Sequence, residues 1–343
     1  MNFASDNAYG ACPEILEAVV RSAEGSQPSY GEDACSNRLR ARLSEIFERE
    51  VYAFPVITGT AANSLALATL CPPHGAIFCH EEAHIASDEC AAPEFFTHGA
   101  KVVGIAGADG KLTPAAIASM LPQFSRGVHS PKPSVVSLTQ LSELGTAYDA
   151  EQIAQISEVC RGHGLFLHMD GARFANALVG QNTSPSALSW RAGVDVLSFG
   201  ATKNGALSAE CVIFFDRALA GDFEYRRKKS GHLISKMRFV SAQLEAYLAD
   251  DLWLKSAARA NLLATQMAHA LMQVQGASLA HPVQGNQIFL YLPDQTVAHL
   301  RAGGAKFYDW QASRDGRTLI RLVTSFATPE SAIQQFVELA RAP

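Results

Sequence analysis

Short apolar runs alternate with segments of helical periodicity through the first two thirds of the chain. The runs predict strands that are buried on both faces, as in a parallel sheet covered by helices. The predicted strands are Ala76–Cys79, Lys101–Ile105, Ser134–Leu138, Leu165–His168, Asp195–Phe199 and Cys211–Phe215. Between them, Ala150–Arg161 has apolar residues at helical spacing and is typical of a crossover helix. The alternation predicts an α/β fold with a mostly parallel central sheet and flanking helices.

The pattern changes after about residue 240. A long helical stretch, Gln243–Gln273, precedes two apolar strands, Gln287–Leu292 and Thr318–Val323, with a helix near 295–303 between them. This order predicts a small C-terminal α+β domain with an antiparallel sheet. We therefore divide the chain into a large domain of residues 1–240, which includes the N-terminal segment, and a small domain of residues 241–343. The helical link predicts little movement between them.

Composition and charge fit a globular enzyme and exclude several other classes. Of the 343 residues, 48% are apolar and 18% are charged, and the formal net charge is −5. This balance favours a large core and gives no basic surface for nucleic acid and no polybasic membrane signal. We see no signal peptide and no apolar run of membrane-spanning length. The seven cysteines include no CxxC pair, which predicts reduced thiols in a cytoplasmic protein.

Two of the predicted strands each lead into a residue that can act on a heterocyclic cofactor. Leu165–His168 runs into Asp170, and Asp195–Phe199 runs towards Lys203. Their separation of 33 positions is about one βαβ crossover, which brings both side chains to the carboxyl edge of one sheet. An acid facing a pyridine nitrogen and a Schiff-base lysine are what pyridoxal phosphate (PLP) chemistry needs. Taken alone, each is more often a capping or solvated residue.

The segment Thr58–Asn63 follows an apolar, strand-like stretch and opens a predicted helix. Free N–H groups and the positive end of the helix dipole favour an anion at such a position. No Walker A lysine follows and the G-x-G-x-x-G pattern is absent, so ATP and dinucleotides have little support. By itself the segment is more typical of an ordinary capped helix.

A second motif indicates a different class of protein. His80-Glu81-x-x-His84 matches the H-E-x-x-H pattern of zinc metalloproteases. That pattern binds zinc only when a helix places both histidines on one face, and here it directly follows the predicted strand Ala76–Cys79. No third ligand in a helical context follows it. Zinc hydrolysis is therefore a remote alternative, and we predict no metal site.

Longer motifs around these residues resemble the threonine aldolase family of PLP enzymes. The resemblance extends in order through essentially the whole chain. It rests on Tyr30–Asp33, Thr58–Asn63, Ala83-His84, His168–Arg173, Ser198–Gly205 and Arg321–Thr324. It implies the PLP-dependent transferase-like fold type I and the retro-aldol cleavage of L-threonine, L-allo-threonine and related β-hydroxy-α-amino acids to glycine and an aldehyde. A PLP-dependent β-eliminating lyase is the alternative within the same class.

The resemblance also implies which residues hold the cofactor. Lys203 would carry PLP, and Asp170 would keep its ring nitrogen protonated. Gly59 and Thr60 would hold its phosphate. His84 would lie over the ring, close to the substrate hydroxyl, and is the candidate general base.

Three further residues would hold the substrate carboxylate in this resemblance, namely Ser5, Arg173 and Arg321. Arg173 lies three residues after Asp170, so it also counts among the cofactor-binding candidates. A guanidinium suits a carboxylate, although each arginine is equally typical of a structural ion pair. The family's shared sites imply a homo-oligomer, a dimer of dimers. The residues that would complete a neighbouring subunit's site are Tyr30, Lys229 and Arg238.

One departure from the family concerns the loop after the predicted strand that ends at Leu138. Many members carry a histidine there that handles the substrate hydroxyl, whereas the loop Thr139–Gly145 contains none. The identity of the base and the preferred configuration at Cβ therefore remain open. We expect L-threonine and L-allo-threonine both to be cleaved.

Overall fold

In the computed structural model, which describes residues 1–342, the strands lie where the apolar runs predict them. The first seven strands are β1 (Tyr52–Val56), β2 (Gly75–His80), β3 (Lys101–Ile105), β4 (Lys132–Thr139), β5 (Phe166–Gly171), β6 (Val196–Gly200) and β7 (Glu210–Phe214). The other four are β8 (Ser278–Leu279), β9 (Gln287–Pro293), β10 (Tyr308–Arg314) and β11 (Arg317–Val323). All six strands predicted before residue 240 overlap an observed strand.

Helices pack on both faces of the larger sheet. Before residue 200 they are α1 (Pro13–Ser22), α2 (Ala34–Ile46), α3 (Gly59–Leu70), α4 (His84–Ser87), α5 (Ala92–Phe96), α6 (Pro114–Met120), α7 (Ala150–Gly162) and α8 (Phe174–Gln181). After it they are α9 (Phe223–Lys229), α10 (Arg238–Leu248), α11 (Leu252–Leu271), α12 (Asp294–Ala302) and α13 (Glu330–Arg341). Helices α11 and α12 contact strands of the smaller sheet. The predicted crossover helix corresponds to α7.

The long helical stretch predicted over Gln243–Gln273 consists of two helices rather than one. Helix α10 ends at Leu248, and α11 begins at Leu252. Between them, Asp250 and Asp251 have positive φ angles of 51° and 56°. Such left-handed residues interrupt a right-handed helix, and aspartate adopts this conformation more readily than most residues.

The larger sheet is mostly parallel, and its strand order places β5 beside β6. Within residues 1–342 it has seven strands in the order β1-β7-β6-β5-β4-β2-β3. The pairs among β2, β3, β4, β5 and β6 are parallel, whereas β7 is antiparallel to both β6 and β1. Asp170 on β5 is level with Thr139 on β4 and Ser198 on β6. The carboxyl ends of these three strands therefore meet at one edge.

The smaller sheet is antiparallel, with the order β10-β11-β9-β8. Its core includes Ile288, Phe336 and residues of α11, and also the fully buried Phe3. Val323 N on β11 donates to Phe3 O at 2.8 Å, so the N-terminal segment contacts this sheet. Earlier in α11, Trp253 packs in the larger core. The division at residue 240 stays a prediction.

The described residues bear on two further expectations. In the part of the chain from residue 1 to 342, no helix combines the length and apolar character needed to cross a membrane. All seven cysteines are free thiols, and five of them are buried.

Candidate active site

Asp170 lies near the end of β5 with both carboxylate oxygens held by hydrogen bonds. The backbone N–H of Ala172 donates to Oδ1 at 3.0 Å, and Asn63 Nδ2 donates to Oδ2 at 2.8 Å. The residue is only 4% exposed. Because a buried carboxylate is costly unless its oxygens are hydrogen-bonded, these two donors offset the cost of burying it. A fixed, buried anion is suited to hold a proton on a pyridine ring.

Lys203 lies in a short 3₁₀ turn, Thr202–Asn204, directly after β6. The turn is anchored by Asn204, whose Nδ2 donates to Tyr247 Oη and to Trp253 O, both at 2.8 Å. Gly205 ends the turn with a φ of 116°, and a Cβ there would collide with a neighbouring cysteine sulfur. The turn therefore holds Lys203 on rigid backbone at the edge where β5 also ends.

A buried acid on β7 supports the chain just before this lysine. Glu210 is 7% exposed, and its Oε2 accepts a hydrogen bond from Ala201 N at 2.9 Å. Burial raises the pKa of Glu210 to about 7, although the charge of Lys203 acts in the opposite direction. Sequence reasoning missed this residue, because a single Glu at the start of a strand belongs to no recognisable pattern.

The start of α3 has the free donors that a phosphate requires. Thr58 caps the helix, with its Oγ1 accepting from Ala61 N at 3.2 Å. The N–H groups of Gly59 and Thr60 make no hydrogen bond within residues 1–342. Apart from its chain neighbours and the backbone of its own helix, no atom of residues 1–342 lies within 4 Å of the position that a Cβ on Gly59 would take. These features, together with Lys203 and Asp170, fit PLP as a ligand.

Arg173 forms a buried ion pair with Asp6, which is the structural alternative that the sequence left open. Its Nε donates to Asp6 Oδ2 at 2.8 Å and its Nη2 to Oδ1 at 3.0 Å, and both side chains are buried. Burial acts to raise the pKa of Asp6, but the charge and hydrogen bonds of Arg173 outweigh it and keep that pKa low. Arg173 Nη1 makes no hydrogen bond to any described residue.

Arg321 lies on β11 and is held mainly by aromatic rings. Its guanidinium carbon is 5.3 Å from the ring centroids of both Tyr308 and Trp310, and Nη2 donates to Ala4 O at 3.1 Å. Burial and then the charge of Arg173 lower its pKa. Arg321 carries no salt bridge within residues 1–342, so its charge is available to an anion.

One cleft brings part of this set together, whereas Asp170, Gly59 and Thr60 are not among the residues that line it. It has a volume of about 730 Å³, and its lining includes four of the predicted site residues that hold or attract anions. They are Ser5, Arg173, Lys203 and Arg321. His84 lines the same cleft, and so does Glu143 of the loop that lacks the family histidine. Sequence reasoning did not single out Glu143, because the residue type expected in the loop Thr139–Gly145 was histidine.

His84 begins α4, and its Nδ1 lies 2.8 Å from Glu89 Oε1. His80 instead ends β2, where its Nε2 donates to Gly107 O at 2.9 Å and its Nδ1 accepts from Glu82 N at 3.1 Å. The two histidines therefore share no helix face, and backbone groups occupy both nitrogens of His80. No cluster of three metal-ligating side chains occurs among residues 1–342. The zinc alternative has no support from this geometry.

The three candidates for a neighbouring subunit lie outside this cleft, as far as residues 1–342 define it. Tyr30 is exposed, with Lys228 Nζ 4.3 Å from its ring centroid. Lys229 lines an apolar pocket of about 380 Å³ beside Phe95, and Arg238 Nη1 donates to a backbone carbonyl. Their role at a subunit boundary stays a prediction.

Comparison with known proteins identifies close relatives. A profile of the family described as beta-eliminating lyase matches residues 2–295. The low specificity L-threonine aldolase of Pseudomonas aeruginosa is 46% identical over 306 residues, which is 89% of this chain and 88% of that protein. An enzyme of the same name from a Pseudomonas species is 41% identical over 340 residues, 99% of this chain and 97% of that one.

A solved structure confirms the predicted fold class. The threonine aldolase of Leishmania major is 30% identical, with a TM-score of 0.94 over 99% of this chain and 98% of that one. The fold-type-I architecture, with a mostly parallel sheet and a small antiparallel one, is therefore present in this chain.

Proposed function

The chain belongs to the threonine aldolase family, and on that premise we propose that it uses PLP to cleave L-threonine and L-allo-threonine to glycine and acetaldehyde. Related β-hydroxy-α-amino acids yield glycine and the corresponding aldehyde. The protein is thus a carbon–carbon lyase. The observation that supports this most is the single cleft lined by Ser5, Arg173, Lys203 and Arg321, beside the carboxyl end of β5.

The cofactor residues have complementary tasks in this proposal. Lys203 holds PLP covalently, Gly59 and Thr60 hold its phosphate, and Asp170 keeps its ring nitrogen protonated. When bound, the protonated ring withdraws electrons and stabilises the carbanion left by bond cleavage. The protein supplies the rest by orienting the substrate and moving a proton.

Ser5, Arg173 and Arg321 fix the substrate carboxylate and thereby orient the Cα–Cβ bond. Arg173 contributes through Nη1, since its other two nitrogens bind Asp6. Because Asp6 already neutralises Arg173, Arg321 supplies most of the attraction for the carboxylate. Arg321 and the cofactor ring together fix three points around Cα, and this arrangement enforces the L configuration.

His84 removes the proton of the β-hydroxyl, either directly or through a water molecule. The loop Thr139–Gly145 offers the hydroxyl no histidine, and the polar residue that it brings to the cleft is Glu143. With no sharply specific partner for the side chain, the site discriminates weakly between the two configurations at Cβ.

Product analysis separates this reaction from β-elimination, which the name of the family profile favours. The PLP-loaded protein is incubated with L-threonine, and the Lys203→Ala variant is the control. We expect glycine and acetaldehyde in equal amounts, and neither from the variant. Ammonia and 2-oxobutanoate without glycine would establish elimination instead.

A cytoplasmic homo-oligomer, built as a dimer of dimers, completes the proposal. Its support is the surface beside α9, where Phe95 is 74% exposed and Arg226 and Lys229 line an apolar pocket. Tyr30, Lys229 and Arg238 belong to the neighbouring subunit's site. Light scattering tests this, and a fully active monomer would refute it.

A further inference from the structure

A continuous chain of hydrogen bonds joins His84 to Asp170. His84 Nδ1 lies 2.8 Å from Glu89 Oε1, and the same oxygen accepts from Asn63 Nδ2 at 2.9 Å. That amide nitrogen also donates to Asp170 Oδ2 at 2.8 Å. The chain thus links a residue of α4 with the end of β5 by way of α3 and the segment between α4 and α5.

Burial makes these contacts strong. The Glu89 side chain is 0% exposed, and Asn63 and Asp170 are 2% and 4% exposed. A single amide nitrogen, with its two hydrogens, bridges the two carboxylates and separates them. The amide oxygen of Asn63 and Glu89 Oε2 are buried without partners within residues 1–342. The Glu89 carboxylate therefore depends on His84 and Asn63 for all its hydrogen bonds there.

The contact also fixes the tautomer of His84. A carboxylate accepts hydrogen bonds only, so Nδ1 carries the hydrogen that points to Glu89. The lone pair of the neutral ring is then on Nε2. The other nearby acid, Asp88, is 3.4 Å from Nε2 and its side chain is 81% exposed. Solvent screens an exposed pair of this kind.

We propose that Glu89 is the positioning residue for His84: it orients the imidazole, leaves Nε2 free to take the β-hydroxyl proton, and stabilises the imidazolium that forms. Asn63 connects this pair to Asp170. The role of His84 as base rests on the proposed function, whereas the orientation of its ring by Glu89 does not.

The groups around His84 act on its pKa in both directions, and Glu89 acts most strongly. The hydrogen bond with Glu89 raises the pKa of His84, and burial opposes this effect. Burial raises the pKa of Glu89, and the hydrogen bond with His84 opposes it. The other groups that act on His84 are Asp88, Glu143, Asp170 and Lys203. Glu89 makes the largest of these contributions, so its removal should change the titration of His84 most.

Diethyl pyrocarbonate provides a test that needs no turnover, because it modifies an imidazole ring only when that ring is neutral. The rate of modification of His84, followed by peptide mass spectrometry across a pH series, gives its titration midpoint. We compare the wild type with Glu89→Gln, which keeps the shape and removes the charge, and with Glu89→Asp. Asp88→Asn is the matched control, since it removes the exposed acid beside the same ring. Each protein is measured with and without PLP.

We expect Glu89→Gln to move the midpoint to lower pH, Glu89→Asp to move it less, and Asp88→Asn to leave it close to the wild-type value. In the PLP-loaded enzyme, kcat for L-threonine should fall by about tenfold or more in Glu89→Gln, which corresponds to about 1.4 kcal/mol. KM should change less, because the carboxylate-binding residues are intact.

An unchanged midpoint in Glu89→Gln would overturn the proposal, and so would an equal shift in Asp88→Asn. If Glu89→Gln fails to fold, Glu89→Ala replaces it in the comparison, and an unshifted midpoint in that variant would have the same meaning. If the midpoint moves but the wild type cleaves no threonine, the proposed function fails while the positioning of His84 by Glu89 stands.

Discussion

We expect Arg173→Ala to destabilise the protein more than it weakens substrate binding. The guanidinium donates two hydrogen bonds to Asp6, and the two side chains are 6% and 1% exposed. Without it, the buried carboxylate keeps only the bond from Asn286 Nδ2 at 3.0 Å. Removing one partner of a buried pair costs about 3–5 kcal/mol. This is a large part of the roughly 5–15 kcal/mol that typically stabilises a native protein.

Arg321→Ala is the matched comparison, because Arg321 lines the same cleft and lacks an acidic partner among the described residues. We expect it to raise KM for L-threonine with a smaller loss of stability. Thermal unfolding followed by circular dichroism measures the loss of stability, and steady-state kinetics measures KM.

The double variant Asp6→Asn/Arg173→Ala tests the cause. It should be more stable than Arg173→Ala alone, because it no longer buries an unpaired charge. The reasoning would be refuted if Arg173→Ala had the wild-type Tm and only a raised KM. Arg173 would then act mainly as a substrate ligand.

Three further predictions concern chemistry, pH and substrate range. Asp170→Asn should still bind PLP, measured by absorbance, but lose most of kcat, each tenfold costing about 1.4 kcal/mol; wild-type kcat would exclude a ring-partner role. The kcat should fall at low pH, because His84 must be neutral and the hydrogen bond with Glu89 raises its pKa. The Glu89→Gln variant should lose its activity only at a lower pH than the wild type, as measured by the pH profile of kcat. Aldehyde release should occur from L-threonine, L-allo-threonine and phenylserine, because a pocket without strong polar contacts separates similar side chains by only ~1–3 kcal/mol. It should not occur from D-threonine. Cleavage of only one Cβ isomer would contradict the weak discrimination at Cβ.

The stability of the Asp6 pair should also depend on pH. Since Arg173 outweighs burial and lowers the pKa of Asp6, the pair stabilises the fold fully above the ordinary value of 3.8. This stabilisation is lost as the pH falls through the lowered value. Acid unfolding of Asp6→Asn should accordingly show a smaller pH dependence than that of the wild type.

Much of the fold could be predicted because its strands are buried on both faces. Such strands are nearly continuous apolar runs, as in Val135–Leu138 and Leu197–Phe199. The position of Asp170 and Lys203 at one sheet edge followed from their spacing. The break between α10 and α11 could not be predicted, because the left-handed backbone of Asp250 and Asp251 is a weak preference of that residue type.

The contacts that support the site were less accessible to sequence reasoning. Asp6 reaches Arg173 across 167 positions, and Asn63 reaches Asp170 across 107. A pair of this kind depends on how separate segments pack, and no local periodicity records it. Glu89 is only five positions from His84, but a single acid near a histidine is usually a surface residue.

The covalent attachment of PLP tests the central claim most directly. The wild-type protein is incubated with PLP, reduced with borohydride, digested and mapped by mass spectrometry. We predict one pyridoxyl group, located on Lys203, and an unlabelled but folded Lys203→Ala variant. A pyridoxyl group on any other lysine, or a wild-type protein that takes up none, would contradict the account.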